Sequence, residues 1–226
     1  MHGPTCIFWA DLTPFSLQTA ATMADMGYNA FIGNRIDYQL LYAWRDAQQL
    51  EFIWRPSESR GKQGELFAHI FDSHYCIPTM PDGTGFEWEY GFGQMGTANS
   101  IGLNEDTPPK YSPFLVANTS SPISKPNVAE RAAMYATEMK RRAKWFRTRN
   151  LLVPHGCDFH FQNAAKQYTN LDLLISEINL HPEVYGITLR YATISDYIEA
   201  VHRTNTTWPV FGGDFHPYRS GIVIGQ

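Results

Sequence analysis

The sequence predicts an α/β fold: a mostly parallel sheet with flanking helices. Three observations carry that expectation. Short apolar runs alternate with helical patterns, the first connections are short, and 43% of the 226 residues are hydrophobic, 14% aromatic. Strands joined through helices are parallel by default, because a tight hairpin cannot connect parallel neighbours. A chain of this size buries roughly 70% of its unfolded surface, so most of it is expected to fold.

Residues 5–10 read as a short strand that breaks at Thr13-Pro14. A helix follows over 16–26, with Leu17, Ala20, Ala21 and Ala24 at three- and four-residue steps and Gly27 as the stop. Residues 28–33 form the next strand, 38–49 the second helix and 50–54 another strand. Between Pro78 and Pro126 glycine and proline recur, with a strong turn signal at 80–85, so a long loop region is expected. The helix over 127–147 places Val128, Ala132, Tyr135, Met139, Ala143 and Phe146 on one face. Its basic end (Lys140, Arg141, Arg142, Lys144, Arg147) suits the negative pole of a helix and is expected in water. An apolar strand over 151–153 ends at Pro154-His155-Gly156. Then come a helix over 170–179, a strand over 186–192, a helix through Val201 capped by Ser195, and the run 208–211.

Composition excludes several classes. With 18 basic and 22 acidic residues, the net charge of −4 leaves no broad cationic surface for nucleic acid. No run approaches ~18 apolar residues, so no membrane-spanning helix is expected. The opening residues lack the pattern of a signal peptide, which implies either an intracellular protein or a chain that begins partway through a longer precursor. Cys6, Cys76 and Cys157 are too few for a disulfide scaffold or a CxxC zinc site, and allow one pair with one thiol left over.

Three polar clusters follow strand-like runs, where α/β folds collect their chemistry: residues 9–15, 155–160 and 212–218. Asp158 and Asp214 each precede a phenylalanine. A carboxyl against an aromatic wall is desolvated, its pKa rises, and it can serve as a general acid. The competing reading of Asp158 is a loop or cap residue before a helix starting near Gln162. His155, Asp158 and His160 form a weak local metal pattern, and Cys157 has no base partner that would make it a nucleophile. Aromatic richness also suits stacking on sugar rings, although for any single ring a place in the core is the stronger reading.

Taken in order, these segments resemble glycoside hydrolase family 38, the zinc-dependent retaining α-mannosidases. Residues 9–18 are similar to its W-x-x-D-P-F-G-H-S segment, Arg35 and Tyr38 to its R-x-x-Y element, and 50–55 to its L-E-F-x-W-R stretch. Residues 67–69, 74–75, 78 and 85–86 resemble its substrate-loop region. The block 154–164 is the strongest match, followed by 170–172, 178–179, 191–193, 196–197, 208–209 and 213–218. Thr13 stands where the family has the aspartate of D-P-F, and Ser16-Leu17-Gln18 departs from G-H-S.

The resemblance implies part of the family's seven-stranded, barrel-like α/β catalytic domain. Residues 1–226 are expected as one segment of it, without the family's first strand or its later helical and β domains. It implies a retaining double displacement on terminal α-linked mannose, with Asp158 as acid/base. Asp11 is the nearby carboxylate that stands in for the nucleophile and for a zinc ligand. Arg35, Tyr75, Asp214 and Tyr218 match substrate-binding positions, and the remaining zinc ligands lie outside this chain. Implied partners are a mannose-containing glycan and either the remaining segments of the same enzyme or a second copy. The implied compartment is lysosomal or secretory, with sequons at Asn118-Thr119-Ser120 and Asn205-Thr206-Thr207. The isolated chain is expected to be incomplete or inactive. The alternative is a non-catalytic pseudo-enzyme that binds carbohydrate or serves as a structural subunit, favoured by Thr13.

Overall fold

The computed structural model describes residues 6–9, 16–73, 75–76, 123–156, 161 and 164–215. The chain folds into two compact units. One comprises Met1–Asp72, Arg142–Leu152 and Ala192–Gln226; the other comprises Ser73–Arg141 and Val153–Tyr191. No helix among the described residues is long and apolar enough to cross a membrane.

The first unit is built on β1 (Cys6–Trp9), β2 (Ala30–Gly33), β3 (Glu51–Trp54), β4 (Leu66–Ile70) and β5 (Val210–Phe211), in the order β1-β2-β4-β3-β5. The pairs β1–β2, β2–β4 and β3–β5 are parallel, and only β3–β4 is antiparallel. The sheet is therefore mostly parallel, as expected. The reversal arises because β3 and β4 are joined by a short 3-10 stretch, Glu58–Gly64, rather than by a crossover helix. That reversal hid β4 from the sequence pattern, although β4 is a central strand with Phe31 opposite Ala68 on one side and Phe52 opposite Ala68 on the other.

Side chains alternate across this sheet, and each face has its own helices. Phe31, Phe52, Trp54, Leu66, Ala68 and Ile70 share a core with α1 (Leu17–Asp25) and α2 (Tyr38–Asp46). Both helices start on side-chain caps. Ser16 accepts from Thr19 N–H at 3.2 Å, and Asp37 from Gln39 and Leu40 N–H at 2.9 and 3.1 Å. Trp44 reaches the sheet from α2 and meets Phe52 edge to face, with ring centroids 5.1 Å apart. The opposite face packs α6 (Ile194–His202) through Tyr197, Ile198 and Val201. Thr193, not the expected Ser195, caps α6. It forms a reciprocal box in which its hydroxyl accepts from Asp196 N–H and Asp196 Oδ2 accepts from Thr193 N–H.

The second unit contains α3 (Val128–Arg142), α4 (Ala164–Leu180) and α5 (Pro182–Tyr185). Ala132, Tyr135, Ala136 and Met139 form the buried stripe of α3, close to the expected face. The last residue of α3, Arg142, belongs to the first unit and departs from the expected solvated end. It is 4% exposed and donates from Nη1 to Asp72 Oδ1 at 2.8 Å. Two expected strands are extended segments instead. Residues 151–153 are half-buried and unpaired as a strand. Within 187–193, the Asn179 side chain takes the place of a neighbouring strand: its Oδ1 accepts from Leu189 N–H at 2.8 Å and its Nδ2 donates to Leu189 O at 2.7 Å.

A charged residue lies in the middle of the first unit. Glu51 opens β3 pointing away from Phe52, and is 1% exposed. A buried carboxylate is costly unless donors surround it. The Tyr197 hydroxyl donates to Glu51 Oε1, and His69 Nδ1 on β4 lies 3.3 Å from the same oxygen and 3.2 Å from the Tyr197 hydroxyl. His69 stacks on Phe146, with centroids 5.5 Å apart and planes 7° from parallel. Desolvation raises the Tyr197 pKa well above its ordinary value, and the charge of Glu51, the hydrogen bond to it and the charge of Asp72 push the same way. The folded phenol therefore stays neutral where an unfolded one ionises, so its contribution is complete below about pH 10 and is lost as pH rises above that. Tyr197→Phe is expected to cost about 1–3 kcal/mol in urea unfolding at neutral pH, the range for leaving a buried acceptor without its donor. The variant's stability should also fall less steeply than the parent's above pH 10.

Candidate functional site

β1, β2 and β4 are mutually parallel, so their C-terminal ends share one edge of the sheet. The connections leaving that edge carry three of the chain's polar groups: Asp11 after β1, Arg35 after β2 and Asp72 after β4. Asp11 lies outside the described residues. Arg35 is half-buried in the connection 34–37, held between the end of β2 and the Asp37 cap of α2. β2 ends close against its neighbours: a Cβ on Gly33 would lie 2.6 Å from Phe31 and 2.9 Å from Ile70. The next backbone step is fixed as well, since Phe71 N–H donates to Gly33 O at 3.0 Å. Arg35 thus stands on a backbone with little freedom, which suits a guanidinium whose fork of donors must meet fixed acceptors.

The third cluster starts from the opposite edge of the sheet. β5 runs opposite to β1, β2 and β4, so the cluster that follows it begins at the other edge of the sheet. Two anchors fix its course. Trp54 Nε1–H donates to Gly213 O at 3.0 Å, and Phe215 is buried among Trp44, Phe52, Trp54 and Phe211. Between them Asp214 is exposed, and its Oδ1 accepts from Leu17 N–H, the first residue of α1, at 2.5 Å. A carboxylate at this position meets unpaired helix N–H groups and the positive end of the helix dipole. Asp214 therefore ties the C-terminal cluster to the first turn of α1.

Tyr75 belongs to the second unit, where it is half-buried beside Cys76, which is buried and disulfide-bonded. The same unit carries the ends of the 154–164 block. Gly156 has φ +137°, a conformation that L side chains rarely adopt, and the Phe161 ring lies 3.1 Å from where its Cβ would be. Phe161 also packs on Tyr168, with centroids 5.5 Å apart. Asp158 and Tyr218 lie outside the described residues, as do His160 and Cys157. Among the described residues, no three His, Cys, Asp or Glu side chains converge to hold a metal ion, so these residues do not make a zinc site.

The sequence reading did not single out Asp72, Arg142 or the Glu51–His69–Tyr197 group as a network. Glu51 was discoverable as the one charge inside an apolar strand run. The Arg142–Asp72 pair spans 70 residues and leaves no local signal.

An α/β sheet with polar residues on its strand connections is a class of scaffold on which many enzymes are built. The chain belongs to glycosyl hydrolases family 38: residues 3–221 match the N-terminal domain of that family. It is 37% identical over 208 residues to the epididymis-specific alpha-mannosidase of Homo sapiens, covering 90% of this chain and 19% of that protein. It is 34% identical over 209 residues to the lysosomal alpha-mannosidase of Dictyostelium discoideum, covering 92% and 18%. The alpha-mannosidase of Canavalia ensiformis is 30% identical over 198 residues, covering 88% and 17%. The chain spans about a fifth of the length of these relatives.

The Asp214 contact is directly testable. Asp214→Ala is expected to lower stability by about 1 kcal/mol, the usual loss for a helix cap, while Asp214→Asn keeps an acceptor oxygen and most of the stability. Urea unfolding of the two variants checks this; equal losses would mean that the acceptor oxygen is not what matters.

Proposed function

We propose that this chain is a segment of the catalytic domain of an α-mannosidase-type glycoside hydrolase that removes terminal α-linked mannose from glycans. The match to the family over residues 3–221 carries the reading, and relatives whose names are alpha-mannosidases support it. In this reading 1–226 is one segment of a larger domain and is incomplete or inactive by itself. The mechanism is retaining: one carboxylate attacks the anomeric carbon while another, about 5–5.5 Å away, protonates the leaving oxygen. Asp158 is the acid/base residue, and Asp11 stands in for the nucleophile. Arg35, Tyr75, Asp214 and Tyr218 hold the sugar. The exposure of Asp214 and the constrained backbone of Arg35 fit that task, since a sugar hydroxyl donates to a carboxylate and accepts from a guanidinium.

Zinc is the cofactor the family implies. The described residues supply no site for it; Asp11 is the one ligand proposed within this chain, with the others outside it. A lysosomal or secretory location draws support from lysosomal relatives in Dictyostelium discoideum and Bos taurus, and from the exposed Asn205 of the second sequon. Thr13, in place of the family's aspartate, favours a second reading as a carbohydrate-binding protein without turnover.

The two readings separate on one variant of the full-length protein. Asp158→Asn keeps the side-chain shape and removes the transferable proton, so hydrolysis of an α-mannoside with a poor leaving group should fall roughly 10²- to 10⁴-fold. A substrate with an activated leaving group needs less protonation and should lose less. Parent-rate hydrolysis of both substrates by the variant would make Asp158 a loop residue. Binding of mannosides with no turnover by the parent would favour the second reading.

A further inference from the structure

The turn between α6 and β5 holds Asn205 and, two residues on, Thr207, the spacing at which an asparagine accepts an N-linked glycan. We infer that Asn205 carries such a glycan, an inference that rests on the secretory or lysosomal reading given above. Asn205 and Thr207 are both exposed, and neither the Asn205 carboxamide nor the Thr207 hydroxyl has a hydrogen-bond partner. The hydroxyl between them is engaged instead, since Thr206 and Thr204 share a hydrogen bond at 2.8 Å. The backbone beneath is anchored. Thr204 N–H donates to Val201 O at 3.1 Å and Asn205 N–H to His202 O at 3.2 Å. Arg147 holds the far side of the turn, donating from Nη1 to Thr207 O at 3.4 Å and from Nε to Gln48 O at 2.8 Å. A sugar on Asn205 therefore displaces none of the bonds that fix the turn.

A purely structural role accounts for part of this pattern. Asn205 has φ +52°, and asparagine is one of the few residues that enter the left-handed region readily. The turn alone thus explains an asparagine at 205. It makes no use of the Thr207 hydroxyl, which is the group that turns an asparagine into an acceptor. In the transfer, Asn205 Nδ2 bonds to C1 of the N-acetylglucosamine of a lipid-diphosphate-linked oligosaccharide. The bond from C1 to the phosphate oxygen breaks, the lipid diphosphate leaves with the electron pair, and Nδ2 gives up one of its two protons. Transfer takes place on the nascent chain, so the fold has only to leave room for the product, and an exposed turn does so.

The site is tested on the full-length protein isolated from its native cells, with its compartment recorded by fractionation. Digestion followed by peptide-N-glycosidase in water carrying heavy oxygen turns each glycosylated asparagine into a labelled aspartate, which mass spectrometry locates. The label is expected at position 205. An unlabelled Asn205 overturns the inference. If that protein comes from the lysosome or the medium, the secretory reading stands without the glycan; if it comes from the cytosol, both fall. Two variants expressed in the same cells separate the acceptor from the turn. Thr207→Ala should lose the label at position 205 while leaving Asn205 in its left-handed conformation, and Thr207→Ser should keep it. A label that persists in Thr207→Ala means that the Thr207 hydroxyl does not direct the modification, and overturns the assignment of Asn205 as an acceptor of this kind.

Discussion

Glu51 imposes a condition that the packing around β3 must meet. Its carboxylate lies dry on one face of a sheet whose other face is a wall of aromatic and aliphatic side chains, so donors must come from neighbouring elements. Tyr197 supplies one from α6 and His69 stands beside it on β4. The His69 ring in turn holds Phe146, four residues beyond the Arg142 that pairs with Asp72. One buried charge thereby fixes the strand, its neighbour, the helix above and the entry of the 142–146 segment. Apolar packing alone would press α6 against the sheet; the acceptor at Glu51 selects where along the sheet α6 sits.

The same arrangement explains how the candidate residues are carried. The sheet interior is rigid, and the variable chemistry stands on connections that leave it. Arg35 follows a strand end that tolerates no added carbon, and Asp214 is stretched between a buried phenylalanine and the first N–H of α1. That division suits the proposed hydrolysis, because pre-set donors lower a barrier only if they need not reorganise as charge develops.

Helices were the most legible part of the sequence. Ser16 and Asp37 mark their starts, and apolar steps of three and four mark their buried faces, all within one turn of chain. Strand direction was not legible, because β3 and β4 reverse through a 3-10 stretch that no periodicity announces. Residues 151–153 and 186–192 carry strand-like composition, yet composition cannot tell a laddered strand from an extended segment satisfied by a single asparagine side chain. Thr193 outcompetes Ser195 as a cap because Asp196 stands three residues after it and closes the box. For the site, residue types were legible through the family resemblance. The contacts were not: Leu17 meets Asp214 across 197 residues, and such a pairing has no local pattern.

The proposed chemistry is that of a retaining α-mannosidase, with Asp158 proposed to serve first as acid and then as base. The stereochemistry of the first product reports on it directly. The full-length protein should be given an α-mannoside, and the anomeric proton of newly released mannose followed by NMR before mutarotation sets in. Two successive inversions at the anomeric carbon predict that α-mannose appears first. Initial release of β-mannose, or no release at all, would contradict the account.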